Sequence, residues 1–389
     1  MAKQSKFRSL WRLLLVAASV TALGAGAAFA QDQTTDLSDL NNQILDNPGN
    51  VDLNLRYAHA AEAAGKLRLA LAAYERILIN DPTNGEARAG YERIRRAIEP
   101  NFTVATVEAG VATDTNPINM RPGFFSPRIS STIYFGRAEI ANERDMFGMR
   151  WRSNLNLEVD SYSKVDELNY DYMGAQTGPV LALAPHLALL PAIGLSRAWL
   201  SGRGYYTEVN AALGLEGRTG DISYWARARY GYRNYDQHNF SFIGPNTVLN
   251  DGGYTELIGG VAKPHLLSDR DSLVVSPFGR WSDVASIFDF FGGFSPGKYN
   301  EYGIDAAYNY QVLDHVQASV GALWRKREFR GVSGNPDEFF SPRASLTYQG
   351  LFSRPYDLKL EYSQRDNNSS DALSNYDAQR WTLSLIAHF

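Results

Sequence analysis

The chain has 389 residues, a formal net charge of −4 and no cysteine. A balance this close to neutral excludes the strongly basic field of a nucleic-acid binder, and the lack of thiols excludes disulfide frameworks, Cys-ligated metals and Cys nucleophiles. Mean hydropathy is −0.31 although 44% of residues are hydrophobic and 12% are Phe, Trp or Tyr, as expected where apolar side chains alternate with polar ones.

Residues 1–30 read as a secretory signal peptide. Lys3, Lys6, Arg8 and Arg12 form the positive leader, an apolar core begins at 13–20, and Ala28-Phe29-Ala30 is a small-x-small cleavage site before Gln31. The mature chain is therefore expected to be exported.

Residues 31–100 carry helical spacing in an Ala-, Leu-, Arg- and Glu-rich stretch. Asn47-Pro48 and Asp81-Pro82 repeat at 34 residues, the tetratricopeptide period. Ala58, Ala61 and Ala70 fall where two helices must approach closely, Tyr57 and Tyr74 fill the large apolar positions, Gly65 sits in the turn, and Pro82 closes the repeat. The segment resembles a tetratricopeptide repeat, departing from it at Asn54, where the family usually has Trp, and at Ala61, where it usually has a larger residue. Such repeats are interaction modules, so a small periplasmic docking surface is expected here, with a helical spacer or barrel plug as the other reading.

Glu99-Pro100 ends the helical pattern, because proline cannot continue it. From Asn101 the period switches to two, and fourteen strands follow, near 105–111, 130–142, 147–160, 168–183, 187–199, 204–218, 224–233, 253–266, 272–284, 301–310, 316–327, 344–348, 356–365 and 381–389. The 289 residues from 101 to 389 allow about 21 per strand, close to a membrane-crossing strand of about 9–11 residues plus its connection. Short and long connections alternate, which assigns tight turns to one membrane side and surface loops to the other. An open sheet in lipid would leave edge N–H and C=O groups unpaired, so closure follows.

The fold expected from this pattern is an antiparallel transmembrane β-barrel of about fourteen strands, residues 101–389, behind a small helical domain, residues 31–100. Trp381, Leu383, Leu385 and Phe389 mark the lipid-facing side of the closing strand. Arg150, Arg152, Glu158, Arg227, Arg229, Arg233, Glu301, Asp305, Arg325, Arg327, Lys359 and Glu361 lie on the opposite phase and are expected in the lumen. Prolines 191, 264, 277 and 342 fall inside or beside strands, at a cost to ladder pairing.

Catalytic chemistry finds little support. Gly293-Phe294-Ser295-Pro296-Gly297 matches G-x-S-x-G, but the residue after the nucleophile must lend an N–H to the oxyanion hole and Pro296 has none. The six histidines are scattered without ligand spacing. No catalytic set, cofactor site or metal site is expected.

With helices followed by fourteen strands, the chain resembles the surface lipoprotein assembly modifier family of outer-membrane proteins. The more specific parts are the first strand running into Asp114-Thr115-Asn116-Pro117-Ile118-Asn119, and Tyr362-Ser363-Gln364-Arg365-Asp366-Asn367-Asn368 before the closing strand. The resemblance implies a translocon that moves a protein cargo, a lipoprotein or soluble effector, from periplasm to cell surface. The periplasmic helices would bind cargo or chaperone, and the lumen or the seam between first and last strands would guide it. The partners expected are outer-membrane lipid, the barrel-assembly machinery and an unknown exported protein. A polysaccharide export barrel and a small-solute porin are the alternatives.

Overall fold

Local chemistry sets the helical ends. The computed structural model of the chain describes residues 33–81, 84–98, 101–119, 121, 129–184, 186–236, 251–284, 298–330, 336–351, 355–369 and 374–389. The leader at 1–30, Pro82 and the 293–297 segment lie outside the described residues. The chain divides into two compact units, one of helices and one of strands.

In the helical unit, α1 (Gln33–Asp46), α2 (Val51–Ala63), α3 (Leu67–Asn80) and α4 (Gly85–Ile98) follow one another. Asn50 caps α2 by accepting the Leu53 N–H at 3.0 Å. Gly65 holds φ +67° in the turn to α3, a conformation that glycine adopts without steric cost. Ala58, Ala61 and Ala70 are fully buried between α2 and α3, so the absence of larger side chains is what lets the two helices meet. Tyr57 and Tyr74 complete this core with Ile77 and Ile94. A Cβ on Gly90 of α4 would fall 2.3 Å from the Tyr74 ring, so the ring occupies the notch that the glycine leaves. Asn54, one departure from the repeat pattern, is buried, yet its amide is fully used. It donates to the Pro48 and Asn50 carbonyls at 3.0 and 2.7 Å and accepts from Arg76 at 2.9 Å.

The strand unit is a closed antiparallel barrel of fourteen courses, β1 (Phe102–Asp114), β2 (Ser131–Met146), β3 (Met149–Tyr162), β4 (Tyr170–Pro179) continued by β5 (Leu181–Ala184), β6 (Leu187–Leu200), β7 (Arg203–Thr219), β8 (Ile222–Tyr235), β9 (Gly252–Pro264), β10 (Asp271–Ser282), β11 (Lys298–Leu313), β12 (Val316–Arg330), β13 (Pro336–Tyr348), β14 (Tyr356–Ser369) and β15 (Tyr376–His388). Each course overlaps one of the fourteen expected from the sequence. Consecutive strands pair throughout, and β1 with β15 closes the ring. That seam pairs continuously from Thr106↔His388 to Asp114↔Arg380. It is extended at one end by reciprocal Ala105–Phe389 bonds of 3.0 and 2.8 Å and at the other by the Thr115 N–H donating to Gln379 O at 3.0 Å.

The prolines interrupt the ladder where their missing N–H requires it. The pairs Thr177↔Ile193 and Leu181↔Leu189 place Pro179 opposite Pro191, and this is where one course splits into β4 and β5. Pro277 keeps its register with β11 while the β9 ladder skips residues 276–277. Pro342 keeps β12 and loses β14 in the same way.

Candidate functional site: the barrel interior

Period-two alternation sends two different surfaces to the two sides of the wall. On one side stand Val107, Tyr134, Leu157, Val159, Ile193, Leu195, Val209, Leu213, Tyr230, Leu257, Val320, Leu346, Leu360, Trp381, Leu383 and Leu385, all exposed. They share one phase through the register, from Val111↔Leu383 to Leu195↔Val209. An apolar surface that runs around a whole barrel is far larger than the few hundred Å² water-soluble monomers expose. Charged side chains occupy the other phase. This inverted arrangement, apolar outside and charged inside, is that of a transmembrane barrel of the outer-membrane type.

The inward side is confirmed by contacts that only a concave face permits. Asp114 on β1 is fully buried. It accepts two bonds from Arg365 of β14 at 2.6 and 2.7 Å, and one from Arg380 of β15 at 3.1 Å. Arg365 thus reaches past an intervening strand. Arg152 of β3 spans farther, donating to Glu143 of β2 at 2.6 Å and to Glu216 of β7 at 2.8 and 3.0 Å.

The register puts all twelve expected lumen residues on this phase, and the contacts sort them. Arg150 and Arg152 share Glu143 at 2.5 and 2.6 Å. Glu158 meets Arg137 at 3.2 Å. Arg233 donates to Glu208 at 2.8 Å and lies over the rings of Tyr206 and Tyr254, 4.6 and 5.1 Å from their centroids; the Tyr254 hydroxyl donates to the same carboxylate at 2.7 Å. Asp305 pairs with Arg343 at 2.7 Å, and Lys359 with Glu361 at 2.6 Å.

The largest cluster runs from β8 to β12. Glu256 faces Arg227 at 3.9 Å, Arg229 at 3.3 Å and Arg280 more closely still. Arg280 also lies 3.6 Å from Glu301. Glu301 in turn holds Arg325 at 3.6 Å and Arg327 at 2.7 Å. Arg327 stacks over Tyr299 and Arg325 over Phe339, 4.4 and 4.7 Å from the centroids. Five guanidiniums here share two carboxylates; with Asp337, the β13 partner of Arg327 in the register, the balance among the described residues is five against three. The site residues absent from the sequence expectation are Asp114, Glu143, Glu208, Glu216, Glu256, Arg280, Arg343 and Arg380, whereas Arg365 ends the expected strand 356–365 on the polar phase of Lys359 and Glu361. All sit on the inward phase: Asp114, Glu143, Arg343 and Arg380 lie just past the expected strand ends, and Glu208, Glu216, Glu256 and Arg280 lie inside expected strands whose polar phase is not resolved residue by residue.

The interior is filled unevenly. Toward the end that carries the long connections, Arg233, Arg280, Arg325, Arg327, Glu208, Glu256, Glu301 and Asp114 are buried among ion pairs and aromatic rings. Toward the tight-turn end the wall holds an open niche of about 270 Å³ beside Arg152, Gln176, Trp225 and Arg227.

No protein-family model matches the chain, and no curated protein sequence matches it. Among solved structures it is similar to the outer membrane channel DcaP of Acinetobacter baumannii, with 11% identity over 74% of this chain and 97% of that one and a TM-score of 0.42. It is also similar to a loop L8 deletion mutant of OmpT, an outer membrane protein of Vibrio cholerae, with 11% identity over 75% and 100% of the two chains and a TM-score of 0.41. A third is the outer membrane protein OpdK of Pseudomonas aeruginosa, with 10% identity over 74% and 98% and a TM-score of 0.37. At this level the likeness is one of general barrel form, and the wall's own residues carry the functional reading.

Proposed function

We propose that the protein is an outer-membrane channel for small solutes, with a preference for anions. The observation that carries this reading is the β8–β12 cluster, where five guanidiniums stand against three carboxylates among the described residues. A surplus of fixed positive charge beside a low-dielectric passage raises the local concentration of anions and lowers that of cations.

Translocation of a protein cargo is the weaker reading. The β1–β15 seam is paired along its length and pinned by Asp114, so a lateral exit would break a full ladder and a buried ion cluster together. The helical unit would then be a periplasmic appendage of the channel.

The test is the reversal potential of the purified chain in planar bilayers under a KCl gradient. Discrete conductance with a reversal potential on the chloride side is expected. A potassium-selective pore would refute the anion preference, and absence of conductance from correctly folded protein would refute the channel.

A further inference from the structure

The niche at the tight-turn end of the lumen originates in a defect of the wall. Pro179 and Pro191 face one another across the β4–β6 pair, and neither can donate to the ladder. The backbones close up there: a Cβ on Gly178 would lie 1.9 Å from the Pro191 carbonyl oxygen. With glycine and alanine on the inward phase at 178, 192, 212 and 214, the wall recedes where its neighbours carry long side chains. The recess of about 270 Å³ has room for a small organic molecule.

Its chemistry is two-sided. Leu190, Ala192, Ala212 and Ile258 give an aliphatic floor. Arg227 lines the opening, and its side chain is 42% exposed. Its nearest carboxylate, Glu256, stands 3.9 Å away and is held closer by Arg229 and Arg280. An exposed guanidinium with no carboxylate in close contact keeps donors for an arriving carboxylate. The Asn154 and Gln176 amides, opposite one another in the β3–β4 register, line the same opening. Arg152 cannot serve a second anion, because Glu143 and Glu216 already occupy it. Glu216, at the rim, opposes a second negative charge on the ligand.

We propose that this niche binds a small monocarboxylate with an apolar body, its carboxylate on Arg227 and its hydrocarbon on the Leu190–Ile258 floor. The proposal rests on the reading of the barrel as an anion-preferring channel and names the solute class it would select. A solute held at such a site would enter the lumen's basic track already oriented.

The experiment is isothermal titration of the full folded chain in lipid nanodiscs with hexanoate, hexanol, hexylammonium and adipate. Hexanoate is expected to bind saturably at one site. Hexanol lacks the charge, hexylammonium reverses it and adipate doubles it, so each should bind at least about tenfold more weakly, the loss of one charge-assisted hydrogen bond. Arg227→Gln should weaken hexanoate by a similar factor, and Ala192→Phe, which fills the recess, should abolish saturable binding. Folding of both variants is checked by heat-modifiable migration on gels; if Ala192→Phe does not fold, Arg227→Gln alone decides. Equal binding of hexanol and hexanoate, or unchanged hexanoate affinity in Arg227→Gln, would overturn the site. The same preparation is measured for ion selectivity. Hexanoate binding in a potassium-selective pore would sink the anion preference and leave the site standing, whereas an anion-selective pore indifferent to hexanoate would do the reverse.

Discussion

Glu301→Gln is the most informative single change in the barrel. Glu301 is buried; it accepts bonds of 2.9 and 2.7 Å from Arg327 and lies 3.6 Å from both Arg325 and Arg280. Glutamine keeps the shape and one acceptor oxygen but removes the charge that three buried guanidiniums share. Breaking a buried pair by removing one partner costs about 3–5 kcal/mol. Because both Arg327 bonds fall on one oxygen, which glutamine keeps in neutral form, the lower end, about 3 kcal/mol, is expected here. The assay is urea unfolding and refolding in lipid vesicles followed by tryptophan fluorescence, where the midpoint should fall with an unchanged slope. Adding Arg327→Gln should restore part of the loss, since it lowers the positive charge gathered around the neutralised site, and the double-mutant cycle measures the coupling. The single variant should also shift the reversal potential further toward chloride. Stability within about 1 kcal/mol of wild type would mean that water and salt already screen the cluster, and both the buried-charge account and the selectivity built on it would fail.

Three further outcomes are expected. Leu383→Arg, on the outward phase of β15, should cost about 2–4 kcal/mol at mid-bilayer depth. Thr382→Arg, one residue earlier and opposite Glu361 in the register, should be tolerated; equal costs in vesicle refolding would contradict the assigned faces. Asp114→Asn leaves Arg365 and Arg380 without their shared carboxylate and should destabilise the closed barrel by about 3 kcal/mol, seen as a lower temperature of gel-mobility conversion. In the helical unit, burial first and then Glu62 hold the Tyr74 hydroxyl well above the ordinary tyrosine range. The raised folded-state value means the stabilisation is complete below about pH 10 and declines as pH rises further, by up to about 1.4 kcal/mol per unit. Amide exchange in α3 should accelerate above that pH, and Tyr74→Phe, which cannot ionise, should flatten the dependence; an identical profile would exclude Tyr74 as its source.

The number, order and approximate course of the strands were legible because period-two alternation is a local property. Each residue's face follows from its neighbours two positions away, as at Trp381, Leu383 and Leu385. The alternation of tight and long connections gave an independent count. Strand ends were less legible: β13 begins at Pro336 and β14 runs to Ser369, beyond the apolar stripe, since polar ends of a strand carry no alternation to read. The prolines announced trouble in the ladder, but not that Pro179 and Pro191 would meet. The tetratricopeptide and surface-assembly resemblances suggested a cargo carrier, and no family model supports that assignment.

By itself the sequence determined which face of each strand meets lipid and which turns inward, and therefore that a closed barrel with a charged interior must form. It did not determine which charges meet. Asp114 finds Arg365 and Arg380, 251 and 266 residues away, and Arg152 finds Glu216 across two courses of strand. Those meetings depend on the curvature and closing register of the whole ring. The niche is of intermediate kind: Pro179 and Pro191 meet within one hairpin, but the lining is drawn from strands β3 to β9. Facing is set by bond geometry along the chain, whereas convergence is set only when the last strand pairs with the first.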